Sequence, residues 1–127
     1  MNEKEESNRE RSRKLLAEIE KMRGSLSDAH RIAAHDPDTL DAYKQIYSTC
    51  FQSVTAIPEK YKQLFLVAIG VATLRAQPVD VHARAALDLG ATAEELAGAV
   101  RIGILQSGIP GFIVGAQALR HLGEPPI

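Results

Sequence analysis

The sequence predicts an all-α protein of six or seven helices, and three observations predict it. Apolar residues recur at spacings of three and four along almost the whole chain, the period of a helix with one buried face. No segment alternates apolar and polar residues for long enough to form a strand. Proline, glycine and capping residues punctuate the periodic stretches at intervals suited to short helices.

Residues 1–13 contain no apolar side chain except Met1, which predicts a solvated arm. Leu15, Leu16, Ile19 and Met22 then form one apolar stripe, and Gly24 supplies a stop. Residues 1–24 are therefore expected to form a charged arm and helix, and residues 25–127 a helical domain. Ser25 or Ser27 can cap a short turn through Ile32 and Ala33. Asp36-Pro37 is a start signal, with Asp as N-cap and Pro in the first helical position. The stripe Leu40, Tyr43, Ile46, Tyr47, Cys50, Phe51 and Val54 follows, which predicts a buried face that includes the cysteine. Ile57-Pro58 opens the next helix. Its second half, Leu64 to Leu74, is apolar all round and must be enclosed by other helices or by another subunit.

The second half of the chain has clearer punctuation. Pro78 can open a helix that carries Val79, His82, Ala83 and Ala86 on one side. Asp80, Arg84 and Asp88 stand four residues apart and predict an ion-pair row. Gly90 closes this helix, and Thr92 with Glu95 fits a capping box for the next, from Ala93 to about Gln106. Ser107-Gly108-Ile109-Pro110 breaks the chain before a last helix from Pro110 to His121. Gly98, Gly103, Gly111 and Gly115 each cost about 1 kcal/mol against Ala inside a helix. Close helix packing accounts for them, in the core or at an oligomer interface; the alternative is space for a small ligand near His82.

Composition narrows the function. The chain has 127 residues, one domain's length, with 45% hydrophobic and 24% charged residues. A net charge of −1 offers no electrostatic footprint for nucleic acid or an anionic membrane. Leu64–Leu74, the longest apolar run, is about half of the roughly 20 residues that span a bilayer. The charged N-terminus has no apolar core of a secretion signal, so a cytoplasmic location is expected. The single cysteine, Cys50, excludes an intrachain disulfide and a multi-cysteine metal site. Spacing gives His30 and His35 no credible zinc site; with His121 they read as surface or helix-end residues.

The succession LFLVAIGVA, VDVHARAALDLGATAEEL and QSGIP resembles the carboxymuconolactone decarboxylase and alkylhydroperoxidase-D-like family. The matching pieces are Ile57-Pro58 to Leu64, Val79 to Ala86, Gly90 to Leu96 and Ser107 to Pro110. The resemblance implies that family's helical bundle and a homo-oligomer, trimeric or hexameric. Its peroxidase branch uses Cys-x-x-Cys-x-x-x-His, in which a low-pKa thiolate attacks peroxide and a second thiol resolves the product. With the histidine at His82 those cysteines fall on Arg75 and Pro78, which disfavours dithiol chemistry.

The decarboxylase branch needs no metal or organic cofactor, so the resemblance implies none. It implies a small carboxylate or lactone as ligand and His82 as general acid and base. Lys62 matches the family's arginine and would bind a carboxylate. Arg84 is a second cation beside the histidine, Gln106 a further polar group, and the helix start after Ile109-Pro110 offers backbone amides. The chain departs from the pattern at Pro78 and Gly98, where the family has glutamates, at Gly111-Phe112-Ile113, at Gln117, and in having no Trp. Three readings stay open at this point: a cofactor-free decarboxylase or isomerase, a non-catalytic small-molecule binder, and a structural or interaction subunit whose charged N-terminal helix meets a partner. A single helical histidine serves equally as a structural hydrogen-bonder.

Overall fold

The computed structural model describes residues 1–52 and 56–127 and is all-helical among them. The chain divides into two compact units, Met1–Val54 and Thr55–Ile127.

The first unit begins with α1 (Glu3–Arg23), so most of the stretch expected to be an arm is helix. The physical reason lies at its start. Glu5 N–H donates to Asn2 Oδ1 at 2.9 Å, and Asn2 N–H donates to Glu5 Oε2 at 3.2 Å, a reciprocal cap. Glu3, Glu5 and Glu6 sit at the positive end of the helix dipole, and Lys21 and Arg23 at the negative end. Gly24 closes the helix at φ +87°, the left-handed conformation glycine adopts without strain. Leu15 and Ile19 pack on Leu40, with Leu16, Leu26, Ala33, Ala34 and Tyr43 around them. Ser12 Oγ donates to the Ala34 carbonyl at 2.7 Å, and Arg11 bridges Asp38 and Asp41.

Helix α2 (Asp28–Ala33) follows Ser27, and α3 (Pro37–Tyr47) follows Asp36, both as the capping signals predict. The expected buried face of α3 is only partly realised. Leu40 is fully buried, whereas Ile46 and Cys50 are exposed. A π-helical turn, Ser48–Gln52, takes over after Tyr47 and winds more residues into each turn, so a stripe of period three and four no longer stays in line. Cys50 is therefore a surface thiol rather than a core residue. Tyr43, Tyr47 and Phe51 instead form a ladder of rings, with centroids 5.9 and 4.9 Å apart. Val54, the last member of the predicted stripe, lies outside the described residues.

The second unit is built on α4 (Glu59–Ala72), which turns Gln63, Leu64, Val67, Gly70 and Val71 inward. It packs against α5 (Ala76–Asp88), α6 (Ala93–Ser107) and α7 (Ile109–Ala116). A 3₁₀ segment, Gln117–Leu122, closes on α5, and Gly123 ends it. The core holds Leu64, Val67, Val71, Val79, Ala83, Ala86, Leu96, Val100 and Ala118. Helix α5 starts two residues before Pro78, which is tolerated because first-turn amides need no helical acceptor. The cap predicted for α6 is present, with Glu95 N–H donating to Thr92 Oγ1 at 3.0 Å and Thr92 N–H to Glu95 Oε1 at 2.9 Å.

Enclosure of α4 is one-sided: Phe65 and Ile69 on its outer face are half exposed. The glycines separate into two kinds. A Cβ on Gly103 would lie 2.5 Å from Val71 Cβ, and one on Gly115 2.8 Å from Val100 Cγ1, so helices meet closely there; around Gly98 there is open space. No helix among the described residues is long and apolar enough to cross a membrane.

Candidate functional site

Helix α5 buries Val79, Ala83 and Ala86 against α4, and His82 stands on the flank of that stripe, half-buried. Opposite it, α4 presents Gln63, one of the few buried polar side chains among the described residues. His82 Nδ1 and Gln63 Oε1 are 2.7 Å apart. An amide oxygen only accepts, so Nδ1 carries the proton in this pair and Nε2 becomes the basic nitrogen of the neutral ring. A side chain on one helix thus selects the tautomer and fixes the ring plane of a histidine on the next.

Sequence reasoning missed Gln63, although a signal for it exists. Position 63 falls four residues before Val67 on the buried stripe of α4, and a polar residue on a buried stripe requires a partner. The partner could not be read from sequence, because it stands nineteen residues away on another helix.

The other candidate residues are placed differently. Lys62 is half-buried on α4, next in sequence to Gln63 and so about 100° around the helix from it. The neighbouring cation, Lys60, reaches Glu95 Oε1 at 3.3 Å and lies 4.7 Å from the Tyr61 ring centroid. Its hydrogen bond to Glu95 raises the Lys60 pKa, while the Thr92 amide and then Lys60 lower that of Glu95. Arg84 is exposed and pairs with Asp88 at 3.4 Å. Being two residues from His82, it sits about 200° around α5 and points away from the imidazole. Gln106 is exposed in the last turn of α6.

Of the histidines read as surface or helix-end residues, His121 and His30 both stand in the last turn of a helical segment, but neither is on the surface. His121 is mostly buried, and its Nε2 lies 2.8 Å from Asp80 Oδ1, tying the 3₁₀ segment to α5. Asp80 therefore does not join the predicted row with Arg84 and Asp88; burying the His121 ring between elements outweighs an exposed pairing worth a few tenths of a kcal/mol. His30 is also buried, in the first unit. Its Nδ1 accepts from Ser27 N–H at 2.9 Å, and its ring meets Tyr43 edge-on at 4.7 Å. Burial, then the charges of Arg23 and Arg31, lower its pKa. His35 is exposed, as expected.

A groove of about 760 Å³ lies along the 3₁₀ segment and the C-terminal tail, lined by Gln117, Arg120, Leu122 and Pro126 among others. Neither His82 nor Lys62 borders it.

Comparison with known proteins bears on this arrangement. The pattern describing the carboxymuconolactone decarboxylase family matches residues 37–121. An uncharacterised protein of Methanocaldococcus jannaschii is 33% identical over 89 residues, which span 68% of this chain and 83% of that protein. A crystal structure from Burkholderia xenovorans LB400, whose name assigns it provisionally to the carboxymuconolactone decarboxylases, superposes with a TM-score of 0.74. It is 28% identical, and the match covers 88% of each chain.

Proposed function

The chain belongs to the carboxymuconolactone decarboxylase family, and from that membership we propose that it is a cofactor-free decarboxylase or isomerase. Its substrate is a small carboxylate or lactone, and His82 is its general acid and base. The hydrogen bond between His82 Nδ1 and Gln63 Oε1 carries the reading. Gln63 is buried and orients the ring through Nδ1, so the proton to be exchanged belongs to Nε2.

Loss of CO₂ leaves the C–C bonding pair on the substrate, where a conjugated lactone or ketone carbonyl accepts it as an enolate. The imidazolium of His82 gives its Nε2 proton to the enolate carbon, and the neutral ring regains one from water. In an isomerisation the same nitrogen removes a proton from one carbon and returns it to another. Lys62 supplies a positive charge for a substrate carboxylate. Proton transfer by a positioned histidine contributes about 10²–10⁴-fold to rate.

A panel of small carboxy-lactones and β-keto acids, followed by NMR in D₂O, tests the proposal. The expected result is CO₂ release, or migration of a double bond, with one deuterium entering the product. His82→Ala should remove the activity. Gln63→Leu should reduce it about tenfold, the value of one hydrogen bond, and Lys62→Ala should raise KM more than it lowers kcat. If no acid is turned over, and no acid shifts the melting temperature of the wild type or of His82→Ala, the ligand site is refuted and His82 is a structural hydrogen-bonder.

A further inference from the structure

From a groove on the first unit we propose a binding site for a doubly charged oxyanion, the phosphate of a small soluble phosphomonoester. The groove has a volume of about 350 Å³ and is lined by Glu5, Asn8 and Arg9 of α1 and by Arg31, Ala34 and His35 in and after α2. That volume falls at the lower end of small-molecule pockets, about 300–1,000 Å³. All six residues precede Pro37, where the family match begins, so the site is separate from the reading of His82 and does not depend on it.

Helix spacing builds one wall. Glu5, Asn8, Arg9 and Ser12 are three and four apart along α1 and share a face. Ser12 Oγ donates to the Ala34 carbonyl at 2.7 Å and holds that face against the end of α2. Asn8 and Arg9 line the groove from α1, while Arg31, in the last turn of α2, and His35, two residues beyond it, line it from the other side.

Charge decides the ligand. Two guanidiniums and an imidazole share the groove with one carboxylate, in a chain whose net charge is −1. Glu5 stands four residues before Arg9, the order that favours an ion pair on a helix. Its carboxylate instead accepts from Asn2 N–H at 3.2 Å as part of the helix cap. Elsewhere on α1, Arg11 reaches Asp38 and Asp41, Arg13 lies 4.0 Å from Glu10, and Arg23 donates to the Ser25 carbonyl. The Arg9 side chain has no ion pair or hydrogen bond among the described residues. Arg31 is loosely held, 3.7 Å from Asp28 Oδ1, a carboxylate almost wholly in water. Like charges gathered in a concave surface focus a positive field, and guanidinium forks match the several oxygens of a phosphate. An oxyanion in the groove offsets the repulsion between Arg9 and Arg31, with the Asn8 amide and the His35 ring as further N–H donors. Two cations favour a dianion, because a single carboxylate leaves one of them uncompensated.

The test titrates the intact protein with inorganic phosphate and with methyl phosphate at about pH 7.5, where a phosphomonoester is a dianion. Sodium chloride keeps the ionic strength constant, and NMR follows the ring protons of the histidines. The expected result is a saturable shift of His35. Arg9→Gln and Arg31→Gln should each weaken binding roughly tenfold, as loss of one charged hydrogen bond does. Glu5→Gln keeps a capping side chain but removes the opposing charge, and should tighten binding about threefold. Arg13→Gln, on α1 outside the groove, should bind like wild type. The wild-type titration does not depend on any variant folding, and circular dichroism checks the helices of each variant. A His35 shift that never saturates means an adventitious ion only and overturns the inference. So does affinity unchanged in both Arg9→Gln and Arg31→Gln, or lowered as much in Arg13→Gln as in either. A shift confined to His82 would place the anion in the other unit and overturn it as well. Binding to phosphatidic acid vesicles without binding of methyl phosphate would assign the groove to a lipid headgroup and overturn the soluble ligand.

Discussion

Two glycines on one helix should respond with opposite signs to the same substitution. Replacing glycine by alanine inside an exposed helix stabilises by about 1 kcal/mol, because alanine has less backbone freedom to lose. Gly98 has nothing within 4 Å of where a Cβ would stand, so Gly98→Ala should show this gain undiminished. At Gly103 the new Cβ would lie 2.5 Å from Val71 Cβ, 2.7 Å from Val71 Cγ1 and 2.8 Å from the Ala68 carbonyl oxygen. Two of those atoms move only with the α4 backbone, so rotamer changes cannot relieve the contact. Overpacking of this kind costs about 1–3 kcal/mol, and the rigid neighbours place Gly103→Ala at the upper end. Subtracting the propensity gain leaves it about 2 kcal/mol less stable than wild type. Each kcal/mol moves the melting temperature by about 4 °C in a chain of this length. Gly98→Ala should therefore melt about 4 °C higher and Gly103→Ala about 8 °C lower, in thermal and urea unfolding followed by far-ultraviolet circular dichroism. A Gly103→Ala protein as stable as wild type would refute the close crossing of α4 and α6. A destabilised Gly98→Ala would refute the open space beside α6.

Three further outcomes are expected. His30 has its pKa lowered below its usual 6.5 by burial and then by Arg23 and Arg31, so the unfolded chain binds a proton that the folded unit resists. Stability should be full above about pH 6.5 and fall as pH drops from there to the folded pKa; urea midpoints at about pH 5 and pH 7.5 measure the slope, and His30→Phe should flatten it. Thr92→Ala removes the acceptor for the Glu95 amide and should cost about 1 kcal/mol; an unchanged urea midpoint would show that the cap contributes nothing. Arg84→Ala should leave turnover and ligand affinity unchanged, since the guanidinium faces Asp88 and solvent; a large rise in KM would place it in the site after all.

Local signals in the sequence are readable where the physics is local. The Thr92–Glu95 box, the Asp36-Pro37 start, the Gly24 and Gly90 stops and the break at Gly108 depend on residues within one turn of each other, and all are present. At the N-terminus a lack of apolar residues does not mean a lack of helix, because Asn2 and Glu5 hold a reciprocal cap. Periodicity extended through Tyr47 puts Cys50 on a buried face, but the chain winds into a π turn there and carries the thiol to the surface. The candidate site is half legible: His82 follows from its place among the family's motifs, but Gln63 and the Asp80–His121 pair join residues nineteen and forty-one positions apart.

By itself the sequence determined that this protein is helical, where most of its helices begin and end, and to which family it belongs, because caps, breakers and apolar period act over a few residues. Only the tertiary structure decided which polar groups meet. It turned Gln63 toward His82, took Asp80 from its own helix to His121, and left Leu105 and Ile109 facing outward. Those outcomes depend on which helix faces pack together, and burial is settled by the whole arrangement rather than by any segment of it.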